Sequence, residues 1–214
     1  MHSMLTRLVL SKELLEAGYP VLMLDSFKPR GQTNCRNGVV TSPLTSRDAV
    51  DALVHLQTLK EVDKSRIYQV GYSLGSFSAS LLASPSVNAY LNNTQRFRAS
   101  VDWYGSCGIP LAPTASPANI LRADIDRPLL LLLMAEKDHE TPIRQLCFPL
   151  LEEMKAAGRP IEWHIYGGGT THAWDSRSGY TITNILGEKV VNAYDGIATE
   201  NATRRTLDFL KKHQ

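Results

Sequence analysis

The chain has 214 residues, 43% of them hydrophobic and 21% charged, with a formal net charge of +2. That length suits one domain with a real core, so residues 1–214 read as a single globular domain and not as a disordered or fibrous chain. The 23 basic residues are scattered and nearly balanced by 21 acidic ones, which gives no electrostatic ground for nucleic acid or an anionic membrane as partner and makes a small-molecule ligand the default.

The first stretch, MLTRLVLSKELL, is apolar in places, but Arg7, Lys12 and Glu13 interrupt it before a signal-peptide core or a membrane span can form. Apolar runs at 20–25, 67–72, 97–104, 128–135 and 161–166 then alternate with stretches of helical period. This alternation predicts an α/β fold with a mostly parallel sheet and helices on both faces. The run LLLLLM before Ala135 is apolar at every position, as a central strand covered on both sides requires. Between the first two strands, Thr45 with Asp48 is read as the cap of a helix carrying Ala49, Ala52, Leu53, Leu56 and Leu59. Residues 105–127, rich in Pro, Ala and Ser, read as loop and short helix and not as a cap domain. Thr141 and Pro142 open a helix whose stripe of Ile143, Leu146, Leu150, Leu151 and Met154 stops before Gly158, and a last helix spans about 200–211.

Cys35, Cys107 and Cys147 are odd in number, far apart and without a CxxC. That pattern argues against a disulfide framework or a zinc site and for a reducing, cytoplasmic setting. On that reading the Asn-x-Thr sequons at Asn92 and Asn201 carry no weight.

Chemistry concentrates in Gly71-Tyr72-Ser73-Leu74-Gly75, a G-x-S-x-G placed between an apolar run and the helix-compatible SFSASLLAS. In that setting the motif reads as a nucleophile elbow, with flanking glycines where side chains would collide and the serine hydroxyl held out of the sheet. The Leu74 amide, at the start of the helix, is the candidate oxyanion donor. A serine hydroxyl needs a histidine base and an orienting acid, expected downstream in that fold as acid then histidine. Asp138 follows the most apolar strand, with Glu136 and Glu140 as competitors, and His172 follows the strand IEWHIY in a glycine-rich loop. Of the six histidines, His2 and His213 are terminal, His55 falls in a helix and His164 in a strand, which leaves His139 as the rival base. Tyr72, Trp103, Tyr104 and Trp174 are candidates for an apolar pocket, although aromatic residues at strand ends serve the core more often.

Four segments in order, GYPVLMLDSFKPRG, GYSLGS, MAEKDHETP and YGGGTTHAWD with a closing ATENATRRTLDFL, resemble the dienelactone hydrolase family of α/β-hydrolases. The resemblance covers almost the whole chain and implies an ester or lactone hydrolase without metal or organic cofactor, using Ser73, His172 and Asp138. Dienelactone hydrolases proper carry cysteine as nucleophile, so Ser73 points away from dienelactone itself. The family holds a substrate carboxylate with arginines, and Arg30 and Arg177 stand near the corresponding places, Arg177 displaced by one residue. Arg30 is therefore a candidate ligand for an anionic substrate group, with a structural turn arginine as the alternative; Tyr72 and Trp174 complete the candidate substrate-binding set. The family strand ending in an HG-type loop, which supplies a second oxyanion donor, has no counterpart here. MHSMLTRLVLSKELLEAGY instead reads as the helix that follows that strand, capped by Ser3. The fold expected is thus N-terminally short, with backbone groups left unpaired between the 20–25 and 67–72 strands unless the two close up. A catalytically silent, ligand- or partner-binding hydrolase fold is the competing reading, and a peptidase or acyl-transfer enzyme on the same triad is a third.

Overall fold

The computed structural model of the chain describes residues 4–35, 38–109, 118–134, 147–183 and 189–214. Helix α1 (Met4–Glu16) stops at Gly18, whose φ of 86° lets the Tyr19 amide return to the Leu14 carbonyl at 2.8 Å. Ser3, the expected cap, lies outside the described residues.

Residues 20–25, expected as a strand, are irregular and pair with no strand among the described residues. Leu22, Met23 and Leu24 are 45–53% exposed. An apolar run becomes a strand only where a neighbouring ladder takes its N–H and C=O groups, and none lies alongside among the described residues. The two expected strands therefore do not close up.

Helix α2 (Ser42–Thr58) begins earlier than its sequence cap suggested. Thr41 is the N-cap and proline follows in the first turn, so Thr45 is an interior residue whose hydroxyl donates to the Ser42 carbonyl at 3.1 Å. Strand β1 (Gln69–Tyr72) leads through Ser73 into α3 (Leu74–Leu82). Ser84 then caps α4 (Pro85–Tyr90) by accepting from the Val87 amide. Next come β2 (Ser100–Trp103) and the short antiparallel pair β3 (Gly108–Ile109) and β4 (Ala118–Asn119). Strand β5 (Leu129–Met134) and helix α5 (Phe148–Ala156) follow, the latter ended by Gly158 at φ 65° as its sequence predicted. Strand β6 (Ile161–Tyr166) has its predicted bounds. An unanticipated hairpin of β7 (Tyr180–Thr183) and β8 (Lys189–Asn192) precedes α6 (Gly196–Lys212). The cap of α6 is Asp195, which accepts from the Ala198 amide at 2.9 Å.

The main sheet has four strands in the order β1-β2-β5-β6, every pairing parallel. Side chains alternate along β2: Asp102 meets Ser80 of α3, whereas Trp103 donates to Thr206 of α6 at 3.0 Å. Since successive residues of a strand face opposite ways, α3 and α6 cover opposite faces of the sheet. Leu129 to Leu133 of β5 are buried without exception, at roughly 1.5–3 kcal/mol for each side chain withdrawn from water. No described helix is long and apolar enough to cross a membrane.

Cys107 and Cys147 are joined in a disulfide with Cα atoms 5.1 Å apart, and both residues are buried. This corrects the expectation of unpaired cysteines. The partners lie 40 residues apart in sequence, Cys107 in the turn that follows β2 and Cys147 at the N-cap of α5, a proximity that spacing alone does not encode. Alkylation of denatured protein before and after reduction should differ by two modified thiols. Replacing Cys107 and Cys147 together by serine should lower the unfolding free energy by about 3–4 kcal/mol, the loop-closure value for such a span, measured by urea denaturation.

Candidate active site

The strand-to-helix reversal after β1 is completed at one residue. Ser73 adopts φ 51° and ψ −116°, a region that L-residues enter only when their surroundings enforce it. Its amide donates to the Trp103 carbonyl at 3.1 Å, and its carbonyl accepts from the Ser76 amide at 2.9 Å and from the Ser76 hydroxyl. Gly71 makes the turn possible, because a Cβ there would lie 2.1 Å from the Gly75 carbonyl oxygen. Gly75 differs from expectation: a Cβ on it meets nothing within 4 Å. The close approach is between the Gly71 α-carbon and the Gly75 backbone, so only the first glycine is sterically required.

His172 Nε2 lies 2.8 Å from Ser73 Oγ. The imidazole is buried, with its ring 5.0 Å from that of Tyr104 in a T-shaped contact. Its loop is pinned from below. Gly168 and Gly169 take φ of 68° and 101°. Thr170 donates to Asp195 at 2.7 Å, and Thr199 donates to the Trp174 carbonyl at 3.2 Å. Asp195, held below the usual carboxylate range chiefly by the Ala198 amide, thus caps α6 and anchors the histidine loop together. Leu74 opens α3 directly after Ser73, so its amide belongs to the first turn, whose N–H groups have no intrahelical acceptor.

Asp138, with Glu136, His139 and Glu140, lies outside the described residues. Arg30 is engaged elsewhere: Nη1 and Nη2 each lie 2.7 Å from a different oxygen of Asp48, and Nη1 also donates to the Ser26 carbonyl. That fork holds the 26–30 turn against α2, which is the structural alternative anticipated for it, and it draws the Asp48 carboxyl below its ordinary range. Arg177 rests over the Tyr194 ring at 5.6 Å. Tyr72 is half-buried, its ring 5.3 Å from that of Trp103. Trp174 has no exposed surface and stacks on Trp103 at 6.0 Å; it is a core residue and not a pocket wall. Among the described residues no group of three or more His, Cys, Asp or Glu is disposed to hold a metal ion.

Sequence reasoning missed Asp102. It lies in a fully buried strand with no exposed surface of its own, accepting from Ser80 Oγ at 2.8 Å and from the Gly105 amide at 2.9 Å. Burial pushes its carboxyl up to about 7, against the opposing pull of Ser80, the Gly105 amide, Ser76 and the charge of His172. Between the ordinary carboxyl range and about pH 7 the folded chain therefore holds a proton that the unfolded chain releases. That difference makes the contribution of Asp102 to stability fall as pH rises through the window. The signal was present in the sequence as a carboxylate inside an apolar strand.

The sequence profile of the Dienelactone hydrolase family matches residues 6–214. Similar folds include a Klebsiella pneumoniae protein assigned as a dienelactone hydrolase, 18% identical with a TM-score of 0.58 over 82% of this chain and 63% of that one. A dienelactone hydrolase-like promiscuous phosphotriesterase from metagenomic libraries is 16% identical, with a TM-score of 0.53 over 80% of this chain and 62% of the other. A thermophilic esterase of Thermogutta terrifontis, solved with propionate, is 14% identical, with a TM-score of 0.57 over 85% and 69%. The chain thus spans less than two thirds of the length of the first two. No curated protein matches it.

The two motif glycines should separate cleanly in urea denaturation. Gly71→Ala should destabilise the fold by about 3 kcal/mol or more, since the clash is with backbone. Gly75→Ala, in an open helical position, should be neutral or stabilising by up to about 1 kcal/mol.

Proposed function

Given that the chain belongs to the dienelactone hydrolase family, we propose that it is a serine hydrolase cleaving a carboxylic ester or lactone through a Ser73-His172-Asp138 triad and an acyl-enzyme. The observation that carries this reading is the 2.8 Å contact between His172 Nε2 and Ser73 Oγ at the enforced turn before α3. Ser73 Oγ donates its proton to His172 and attacks the substrate carbonyl, while the Leu74 amide donates to the oxyanion. His172 returns the proton to the leaving alkoxide, then takes one from the water that releases the acyl group. Asp138 accepts from the other ring nitrogen and fixes the tautomer. Tyr72, half-buried and adjacent to Ser73 in sequence, supplies apolar surface to a small-molecule substrate; the chemistry needs no metal or organic cofactor.

A catalytically silent binding protein is the second reading, and one observation favours it. Strand β1 is the edge of the described sheet, and a site with the Leu74 amide as its one donor would be weaker in the transition state by about 2.7–4 kcal/mol than a site with two. The expectation of a reducing, cytoplasmic setting loses its support with the Cys107–Cys147 disulfide.

Fluorophosphonate labelling followed by intact mass tests the reading. Wild type should gain a single adduct that Ser73→Ala abolishes, with His172→Ala and Asp138→Asn labelled about 10³–10⁴-fold more slowly. A folded wild type that stays unlabelled selects the silent alternative.

A further inference from the structure

We propose that Asp102 is a positioning residue for the nucleophile: its buried carboxyl group fixes the Ser76 hydroxyl, and Ser76 in turn fixes the Ser73 carbonyl at the turn from which the attacking oxygen projects. The inference rests on the reading of Ser73 as nucleophile.

An ionisable group with no exposed surface in a central strand is a costly feature that a small apolar residue would avoid. The partners of Asp102 explain its presence, because they belong to the helix that the elbow opens and to the turn after β2. Ser80 Oγ donates to Oδ2 at 2.8 Å and the Gly105 amide donates to Oδ1 at 2.9 Å, and the Ser76 hydroxyl stands beside the same carboxyl at Gly105. Gly105 makes this convergence possible. A Cβ there would lie 2.1 Å from Ser76 Oγ and 2.4 Å from Asp102 Oδ1.

Ser73 is consequently held through both of its peptide groups by the end of β2. Its N–H donates to the Trp103 carbonyl at 3.1 Å. Its C=O accepts from Ser76, whose hydroxyl lies next to the Asp102 carboxyl. A residue at φ 51° and ψ −116° keeps that conformation only if its surroundings over-determine it, and these two tethers do so.

Proton counting makes the device sensitive to pH. Ser76 has one hydroxyl hydrogen and two acceptors, the Ser73 carbonyl and Asp102. A protonated Asp102 donates to Ser76 Oγ and leaves the serine hydrogen for Ser73. An ionised Asp102 takes that hydrogen, and the Ser73 carbonyl keeps only the Ser76 amide. Neither α3 nor β5 carries a titratable side chain facing Asp102. On β1 the residue opposite Asp102 is Gly71, while Tyr72 lies opposite Trp103 on the other face; His172 is the charged neighbour.

The test compares fluorophosphonate labelling rates of the full chain as wild type, Asp102→Asn and Ser76→Ala, with Ser73→Ala as blank and thermal melting to verify folding. An asparagine amide donates to Ser76 as a protonated Asp102 does, but at every pH. The rate ratio of Asp102→Asn to wild type should therefore climb about threefold or more from about pH 6 to about pH 9. Ser76→Ala should be labelled about tenfold more slowly than wild type near pH 6, the deficit narrowing as pH rises. This smaller change carries the test alone if Asp102→Asn does not fold. A ratio independent of pH, or a Ser76→Ala variant labelled at the wild-type rate, overturns the inference. So does a ratio that falls as pH rises, which assigns Asp102 an electrostatic role toward His172. A wild type that never labels removes the hydrolase reading and this inference with it, whereas a labelled wild type with any of the other adverse results removes this inference alone.

Discussion

The passage from β1 into α3 at Ser73 is the constraint around which the rest of the molecule is arranged. A strand that turns into a helix at a single residue has to hold that residue at φ 51°, outside the regions where an L-side chain is comfortable. The local sequence contributes only a missing side chain at Gly71, where the Gly75 carbonyl needs the space. The remaining force is tertiary. It comes from the Trp103 carbonyl at the end of β2 and from the helix that begins immediately after the turn. The parallel register of β1 on β2, Tyr72 opposite Trp103, is what brings that carbonyl into place.

From this follows which parts of the protein were legible in its sequence. Ser73, His172 and the strand IEWHIY could be read because each depends on local pattern: a glycine at a close approach, a glycine-rich loop, an alternating run bounded by breakers. The 20–25 run was misread for the opposite reason. PVLMLD has the composition of a strand, but strand formation requires a partner, and composition says nothing about partners. Thr45 was taken for a cap on the strength of Asp48, whereas Asp48 is the ligand of Arg30 and the helix had already begun at Ser42. The same pairing places Arg30 in the structural role that was the alternative to substrate binding.

The features that sequence reasoning missed are long-range. Asp102 and Ser76 are 26 positions apart in the numbering and meet only because α3 packs back over β2. Cys107 and Cys147 meet across a parallel crossover, and Asp195 reaches Thr170 across the β7–β8 hairpin. Each of these contacts ties down a segment that borders the site.

That distribution has a physical logic. Groups that touch the reacting atoms cannot also be fully occupied in holding the fold, so Ser73 Oγ meets His172 and the Leu74 amide is left for a ligand. The holding is delegated to residues one layer below: a buried carboxyl for the elbow, a helix-capping carboxylate for the histidine loop, and a disulfide for the turn after β2. These three anchors differ in chemistry and share no side chain. Weakening one of them consequently disturbs the position of one segment and leaves the other two in register, which is how a single buried substitution can alter the geometry of attack while the sheet stays intact.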